Sequence, residues 1–206
     1  VNPKTEEETA TVASAYIIAK KPTFTFIHFD HVDHAGHEFG HGTPAYYQSV
    51  EKADVLLGTL FQAIEKAGIA DETMVIITSD HGGIGHGHGG ESLQEVEIPF
   101  IVWGKSIKKN LEIKTPVYQY DNAATVAYAL GVSIPTAWVG KPVLNVFEGI
   151  NVADDFPVVS RYSPPLLLPA PTHPNKTIYN PPPTHDAIPI FKMMPITLLV
   201  ARRIQC

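Results

Sequence analysis

The sequence predicts an α/β fold with a largely parallel sheet. Segments with helical apolar spacing alternate with short apolar segments that are rich in β-branched and aromatic residues. Over residues 1–150 the order is helix, strand, helix, strand, strand, helix, which is typical of parallel sheets. The composition is that of a globular protein, with 44% hydrophobic and 17% charged residues in a chain of 206.

The first helix and the first strand are marked by clear end signals. Thr5 precedes Glu8 by the spacing of a capping box, which predicts a helix that stops before Pro22. The segment TFTFIHF, residues 23–29, is β-branched and aromatic and predicts a buried strand.

A second, longer helix begins at Thr43 and Pro44, a favourable N-cap and first-turn pair, and ends at Gly68. Its apolar side chains recur with helical spacing and predict one buried face. They are Tyr47, Val50, Leu57, Phe61 and Ile64.

Three further elements complete the predicted domain. TMVIITSD, residues 73–80, and VEIPFIVWG, residues 96–104, predict two more strands. YDNAATVAYALG, residues 120–131, predicts a last helix with Gly131 as its C-cap.

The chain changes character after this domain. Residues 157–195 contain eleven of the eighteen prolines. We therefore expect an α/β domain over residues 1–150 and a mostly irregular, proline-rich extension over residues 151–206, with an edge strand near PVVSRY, residues 157–162. The apolar end of the chain, residues 188–206, is interrupted by lysine and proline, and we predict no element there.

Charge and cysteine content exclude several classes of function. The net charge is −6 and the basic residues do not cluster, which argues against binding to nucleic acid. Cys206 is the only cysteine, so the chain can form no internal disulfide and no cysteine-ligated zinc site. No apolar run is long enough to span a bilayer. Because the chain starts at Val1 without a signal-like segment, we interpret it as an internal fragment or a processed product.

Histidine is concentrated in two stretches that each follow a predicted strand. Residues 28–41 contain five histidines and two aspartates, and residues 80–90, DHGGIGHGHGG, contain three more histidines. The carboxyl ends of parallel strands meet at one edge of a sheet, so we expect the two stretches to lie together. Asp33 and His37 are four residues apart and share a face if this segment is helical.

Six side chains in the two stretches are the candidate ligands for divalent metals: Asp33, His37, Asp80, His81, His86 and His88. Zinc accepts carboxylates and imidazoles together. The glycines around the histidines let the backbone turn tightly and bring imidazoles close to an ion. Either stretch alone is also compatible with a turn or a solvated loop. Two such stretches at two strand ends favour a metal site.

The ordered motifs resemble those of a known family. DHAGH, residues 33–37, and TSDHGG, residues 78–83, are similar to two metal-binding motifs of the alkaline phosphatase superfamily, and HGGESLQEVEIPFIVWG, residues 88–104, is similar to a third. The nearest likeness is to the type I phosphodiesterases and nucleotide pyrophosphatases, and it covers residues 5–143. The resemblance implies a three-layer α/β/α fold with a largely parallel sheet, of which this chain would be the C-terminal half.

The same resemblance implies a set of ligands for two zinc ions. One ion would be held by Asp33, His37 and His88, and the second by Asp80 and His81. His88 is preferred over His86 because the glycines that follow it match the family motif. The remaining histidines of the first stretch have no role in the family. His28 or Asp30 could line the site, and we expect His31, His34 and His41 to be solvated.

The resemblance also implies a function, with one gap. The family's nucleophile and one metal-binding aspartate lie upstream of the first motif, and no residue before Asp33 matches them, so no catalytic residue is assigned in this chain. The implied function is part of a zinc-dependent hydrolase of phosphate mono- or diesters. Its expected partners are a small-molecule phosphate ester and the missing N-terminal half of the same domain, in an extracytoplasmic location. The alternatives are a sulfatase-like hydrolase, a manganese-dependent mutase, and a non-catalytic metal-binding or interaction remnant.

Overall fold

The computed structural model describes residues 3–151 and 196–202. The helices in this part are α1 (Glu6–Lys20), α2 (His31–Phe39), α3 (Pro44–Lys66), α4 (Leu93–Val96) and α5 (Asp121–Ala129), with short 3-10 turns at Ala70–Glu72 and Leu144–Val146. The strands are β1 (Phe24–Phe29), β2 (Thr73–Thr78), β3 (Phe100–Gly104) and β4 (Ile196–Arg202). The edge strand expected near residues 157–162 lies outside the described residues. None of the helices in this part has the length and apolar character needed to cross a bilayer.

The strands form one sheet in the order β1-β4-β2-β3, and every neighbouring pair is antiparallel. The prediction of a largely parallel sheet is therefore wrong, for two reasons. The connection from β2 to β3 contains only the four-residue α4, so β3 returns beside β2 without a crossover. In addition, β4 inserts between β1 and β2 and pairs antiparallel with both. Because β1 and β2 are both antiparallel to β4, they still run in the same direction and end at the same edge.

Strand β4 is a central strand to which the sequence patterns assigned no element. Residues 196–201 are all buried, because both faces of this strand are covered. Leu198 packs into the apolar cluster on one side of the sheet and Leu199 into the cluster on the other side. A strand that is buried on both faces shows an unbroken apolar run instead of alternation, so its periodicity carries no signal.

Helices cover both faces of the sheet. On one face, Ile17 of α1 and Leu60 and Ile64 of α3 are fully or almost fully buried against β1, β2 and β4. On the other face, Val126 of α5 packs with Ile76 and its neighbours. The sheet and the helices on its two faces therefore form three layers, in agreement with the predicted α/β class.

The predicted helix ends are confirmed. Thr5 Oγ1 accepts a hydrogen bond from the Glu8 backbone N–H at 3.2 Å, and Thr43 Oγ1 accepts one from Tyr46 at 3.3 Å. Gly68, just past the end of α3, has a φ of +68°, a conformation that favours glycine. Local sequence signals alone account for these ends.

Strand β1 lies at an edge of the sheet and has one exposed apolar face. Phe24 and Phe26 are 44% and 59% exposed, whereas Ile27 and Phe29 on the opposite face are buried. The exposed rings line a cleft of about 610 Å³ that is otherwise walled mainly by α5 and by Trp138. A sheet that forms only part of a larger one exposes an unpaired edge and an apolar face in this way.

Candidate metal centre

The first histidine-rich stretch is helical and begins directly after β1. Asp30 separates the end of β1 from α2, and the first two turns of α2 carry Asp33 and His37. Asp33 Oδ1 lies 3.5 Å from His37 Nε2, so the predicted shared face is present.

The second stretch is a glycine-rich loop after β2 that is anchored by α4. The backbone N–H groups of Gly82 and Gly83 donate to the carbonyls of Glu95 and Gln94, each at 2.7 Å. The Glu95 carboxylate accepts from the Gly90 backbone N–H at 2.8 Å, and its hydrogen bonds with Ser92 and Gly90 lower its pKa. The loop is thus held at both ends by hydrogen bonds from its backbone N–H groups to α4, which limits the positions its histidines can take.

Three side-chain atoms that could bind a metal, contributed by the two stretches, lie close together. His88 Nε2 lies 3.1 Å from His37 Nε2 and 3.6 Å from Asp33 Oδ1, and the third distance, from Asp33 to His37, is 3.5 Å. Four ligands arranged as a tetrahedron around zinc at bond lengths of about 2.0–2.1 Å would be separated by about 3.3–3.4 Å. The triangle formed by Asp33, His37 and His88 therefore has the size of one face of such a tetrahedron.

The chemistry of these atoms also fits a cation. Asp33 Oδ1 is buried and has no hydrogen-bond partner, which is costly for a carboxylate oxygen unless a positive charge is close. The ring of His37 donates through Nδ1 to the carbonyl of His86 at 2.9 Å, and a carbonyl can only accept. The proton of a neutral His37 is therefore on Nδ1, and its Nε2 presents a lone pair to the triangle. The contact with His88 Nε2 is an N–H···N hydrogen bond when His88 carries its proton on Nε2, and a cation bound by both nitrogens would replace that proton.

The predicted second pair, Asp80 and His81, lies beside the triangle. The rings of His81 and His88 stack at a centroid distance of 3.7 Å, and Asp33, His81 and His88 each offer a ligand atom within 4.8 Å of the others. His81 donates through Nδ1 to the Gly82 carbonyl at 2.9 Å, so its Nε2 is also free to bind a metal. Asp80 Oδ1 lies 3.8 Å from that Nε2, on a side chain that is 46% exposed.

The two histidines of the loop face different ways. His88 points into the triangle, whereas the Nδ1 of His86 contacts the main-chain carbonyl of His37 at 3.0 Å and its ring lies over Gly40. This arrangement favours His88 over His86 as a ligand. The sequence offered no signal beyond the glycine pair after His88.

The four histidines without a family role differ in solvent exposure, although most were expected to be solvated. His34 is exposed, as expected. His31 has a side chain only 13% exposed and contacts the Ser49 carbonyl at 3.0 Å through Nε2, and His41 is partly buried with its pKa lowered by desolvation. The expectation is therefore wrong for His31 and His41. His28 contacts Thr197 Oγ1 across the β1–β4 pair at 3.0 Å.

Three hydroxyl groups close in sequence to the two stretches are engaged in local structure. Thr43 Oγ1 donates to the Gly40 carbonyl at 2.9 Å, Ser79 Oγ donates to the His81 carbonyl at 2.7 Å, and Ser92 Oγ contacts a Glu95 carboxylate oxygen at 2.5 Å. Each of these hydroxyls holds a turn or a cap.

Comparison with known proteins identifies a family model that matches this region. The model for type I phosphodiesterase / nucleotide pyrophosphatase matches residues 3–89, which include α1 to β2 and the glycine-rich loop up to the residue after His88. No solved structure is significantly similar to the chain.

Three curated relatives illustrate the range of similar proteins. The catalytic subunit of human GPI ethanolamine phosphate transferase 2 is 33% identical over 131 residues, which is 60% of this chain and 13% of the relative. Mouse arylsulfatase K is 28% identical over 128 residues, 60% of this chain and 23% of the relative. A phosphopentomutase from Clostridium perfringens is 30% identical over 100 residues, 48% of this chain and 24% of the relative. The chain thus spans less than a quarter of the length of these relatives.

Proposed function

Since the chain belongs to the alkaline phosphatase superfamily, we propose that it supplies most of the metal ligands of a zinc-dependent hydrolase of phosphate mono- or diesters. The transferases, sulfatases and mutases to which it is similar belong to the same superfamily. The observation that carries this proposal is the triangle of Asp33, His37 and His88, with its unpartnered carboxylate oxygen. An extracytoplasmic location and a small phosphate ester as substrate are parts of the same proposal.

The residues of this chain have distinct tasks in the proposed site. Asp33, His37 and His88 would hold one zinc ion, and Asp80 and His81 would contribute to a second. When bound, the two ions would activate the attacking oxygen and stabilise the leaving oxygen of the ester. The Nδ1–H groups of His37 and His81 donate to main-chain carbonyls, which would keep each Nε2 oriented to bind an ion.

We propose that the nucleophile and a further carboxylate come from sequence outside this chain. Thr43, Ser79 and Ser92 carry hydroxyls close in sequence to the ligands, and each is engaged in a cap or a turn. The exposed edge of β1 and the apolar cleft beside Phe24 and Phe26 provide the surface that the rest of the domain would cover.

Zinc titration of the full 206-residue chain tests the ligand assignment. His37→Ala should abolish tight stoichiometric zinc binding, because it removes one of three atoms at the triangle. His34→Ala is the matched control, since His34 lies on the same helix, is exposed and has no part in the triangle. Asp80→Asn should lower binding of a second equivalent only. Equal loss in the His37 and His34 variants would reject the assignment.

The enzymatic proposal requires the longer protein that contains this sequence. A p-nitrophenyl phosphate monoester, the corresponding diester and the sulfate ester, assayed side by side, would separate the proposed hydrolase from its main rival. Similarity to arylsulfatase K is the observation that favours the sulfate ester. Turnover of the sulfate alone would replace the proposal by the sulfatase alternative, and no turnover of any of the three would favour a mutase or a non-catalytic module.

A further inference from the structure

The two metal-binding stretches are joined by hydrogen bonds that do not involve any proposed ligand atom. His37 Nδ1 contacts the carbonyl of His86 at 2.9 Å, and His86 Nδ1 contacts the carbonyl of His37 at 3.0 Å. Each ring therefore binds the main chain of the other residue. We call this reciprocal pair the His37–His86 clasp.

A third histidine extends the same connection. The backbone N–H of His41 and its ring Nδ1 both contact the carbonyl of Gly85, at 2.7 and 2.8 Å. The ring of His41 rests directly on Gly36, where a Cβ atom would lie 2.0 Å from Nε2. The C-terminal turn of α2 and the loop at residues 85–88 are thus joined at three carbonyls.

The acceptors of these bonds determine how the rings are protonated. A carbonyl oxygen accepts and never donates, so the neutral rings of His37 and His86 must both carry their proton on Nδ1. For His37 this leaves the lone pair on Nε2, the atom that faces Asp33 and His88. For His86 the Nε2 lies beside Gly40, away from the triangle.

We propose that His86 is a positioning residue for the metal centre. Through the clasp it fixes the ring orientation and the Nδ1–H tautomer of His37, and it holds the loop so that His88 meets helix α2. This proposal rests on the proposed function for its zinc readout, but the clasp itself is a property of the chain without metal.

The geometry separates this role from two simpler ones. If His86 were itself a ligand, its ring would be expected in the triangle, but that place is taken by His88. If His86 were only a solvated loop residue, its ring would have no reason to contact the His37 carbonyl while the ring of His37 contacts the His86 carbonyl.

The first test reads the tautomers in metal-free protein by long-range proton–nitrogen NMR of the imidazoles, at a pH where they are neutral. We expect His37 and His86 as Nδ1–H tautomers in the wild-type chain. His86→Ala keeps the residue-86 carbonyl but removes the ring bond to the His37 carbonyl that holds it in place, so we expect His37 to shift towards the Nε2–H form. A wild-type His37 in the Nε2–H form, or a His37 that is unchanged in His86→Ala, would overturn the proposal.

The second test measures zinc affinity in the same full-length variants. Loss of an outer hydrogen-bonding partner of a metal-binding histidine typically weakens metal binding about 10–100-fold, and we expect a loss of that size for His86→Ala with the stoichiometry unchanged. His86→Asn keeps a donor near the position of Nδ1 and should restore most of the affinity. His34→Ala should bind like the wild type.

The outcomes of the two proposals can be told apart. If His86→Asn loses as much affinity as His86→Ala, or if stoichiometry falls in both, His86 is a ligand and the positioning role is wrong. If the wild-type chain binds no zinc, the proposed function fails, and the tautomer measurement alone decides whether the clasp exists.

Discussion

Asp33 shows how much of the site local sequence could indicate at the scale of single residues. Its spacing from His37 predicted a shared helical face, and the structure places the two side chains 3.5 Å apart. Asp33 and His88 are 55 positions apart along the chain, and only the resemblance of the motifs suggested that they meet. The roles of His86 and His41 had no sequence signal, because a ring that binds a carbonyl across two loops follows no local pattern.

Glu6 and Glu7, adjacent in the first turn of α1, should respond to pH in opposite ways. Burial, and a hydrogen bond shared with Asp30, raise the pKa of Glu6 above its ordinary value of 4.5, whereas the ion pair with Lys52 lowers the pKa of Glu7. The stability that Glu6 contributes is therefore present below pH 4.5 and lost as pH rises through its raised pKa. That of Glu7 is present above its ordinary pKa and lost in acid.

Melting temperatures of Glu6→Gln and Glu7→Gln, measured from acid to neutral pH, check this prediction. Relative to the wild type, Glu6→Gln should become more stable as pH rises, because the amide imitates the protonated carboxyl. Glu7→Gln should become less stable over the same range. Parallel curves for the two variants would contradict the assigned environments.

At the scale of elements, the helices followed local rules and the sheet did not. Thr5 and Thr43 cap their helices as predicted, because capping depends on residues three positions apart. The position of β4 depends on pairing with β1 and β2, which are far away along the chain, and no local pattern encodes that pairing. An antiparallel central strand therefore replaced the predicted parallel arrangement.

Strand β4 should be essential for stability although it lies in the extension. Leu198 is fully buried, so Leu198→Ala should lower the free energy of unfolding by about 2–5 kcal/mol. Leu93→Ala is the control, because Leu93 is 73% exposed and its loss should change stability by less than about 0.5 kcal/mol. Denaturant unfolding measures both. A Leu198 variant as stable as the Leu93 variant would place β4 outside the folded core.

Two helical glycines provide a further matched pair. A Cβ at Gly36 would overlap the His41 ring, whereas nothing lies within 4 Å of a Cβ at Gly58 in α3. Gly36→Ala should therefore be destabilising by about 1–3 kcal/mol. Gly58→Ala should be stabilising by about 0.4–1 kcal/mol, since alanine restricts the unfolded chain. Thermal or denaturant unfolding of both variants gives the comparison, and a stabilising Gly36→Ala would show that His41 does not pack on α2.

At the scale of the whole molecule, the described residues expose an apolar surface where β1 forms an edge of the sheet. Phe24 and Phe26 are exposed beside the apolar cleft. The sequence predicted the α/β class and the layers, but it did not predict which strand lies at this edge. Exposed strand edges with apolar neighbours favour association with other chains.

The chain expressed alone should therefore be inactive on phosphate and sulfate esters, even with zinc, and prone to aggregate. The proposed ligands are present, but the nearby hydroxyls of Thr43, Ser79 and Ser92 are each engaged in a cap or a turn. Assays with p-nitrophenyl phosphate and light scattering of the purified chain check both expectations. Turnover that disappears in Asp33→Ala would show that the nucleophile lies within this chain, with Thr43, Ser79 and Ser92 the first candidates.

The insertion of β4 between β1 and β2 would link the pairing of β4 thermodynamically to zinc binding. Adjacent strands lie about 4.8 Å apart, so β4 sets a gap of roughly 9.6 Å between the strands that lead to Asp33 and to His88. Zinc bound across that gap would favour the state in which β4 is in place, and slower amide exchange in β4 would report it. By reciprocity, a competing strand that displaced β4 would lower the affinity for zinc, and bound zinc would lower the affinity for the competing strand by the same factor.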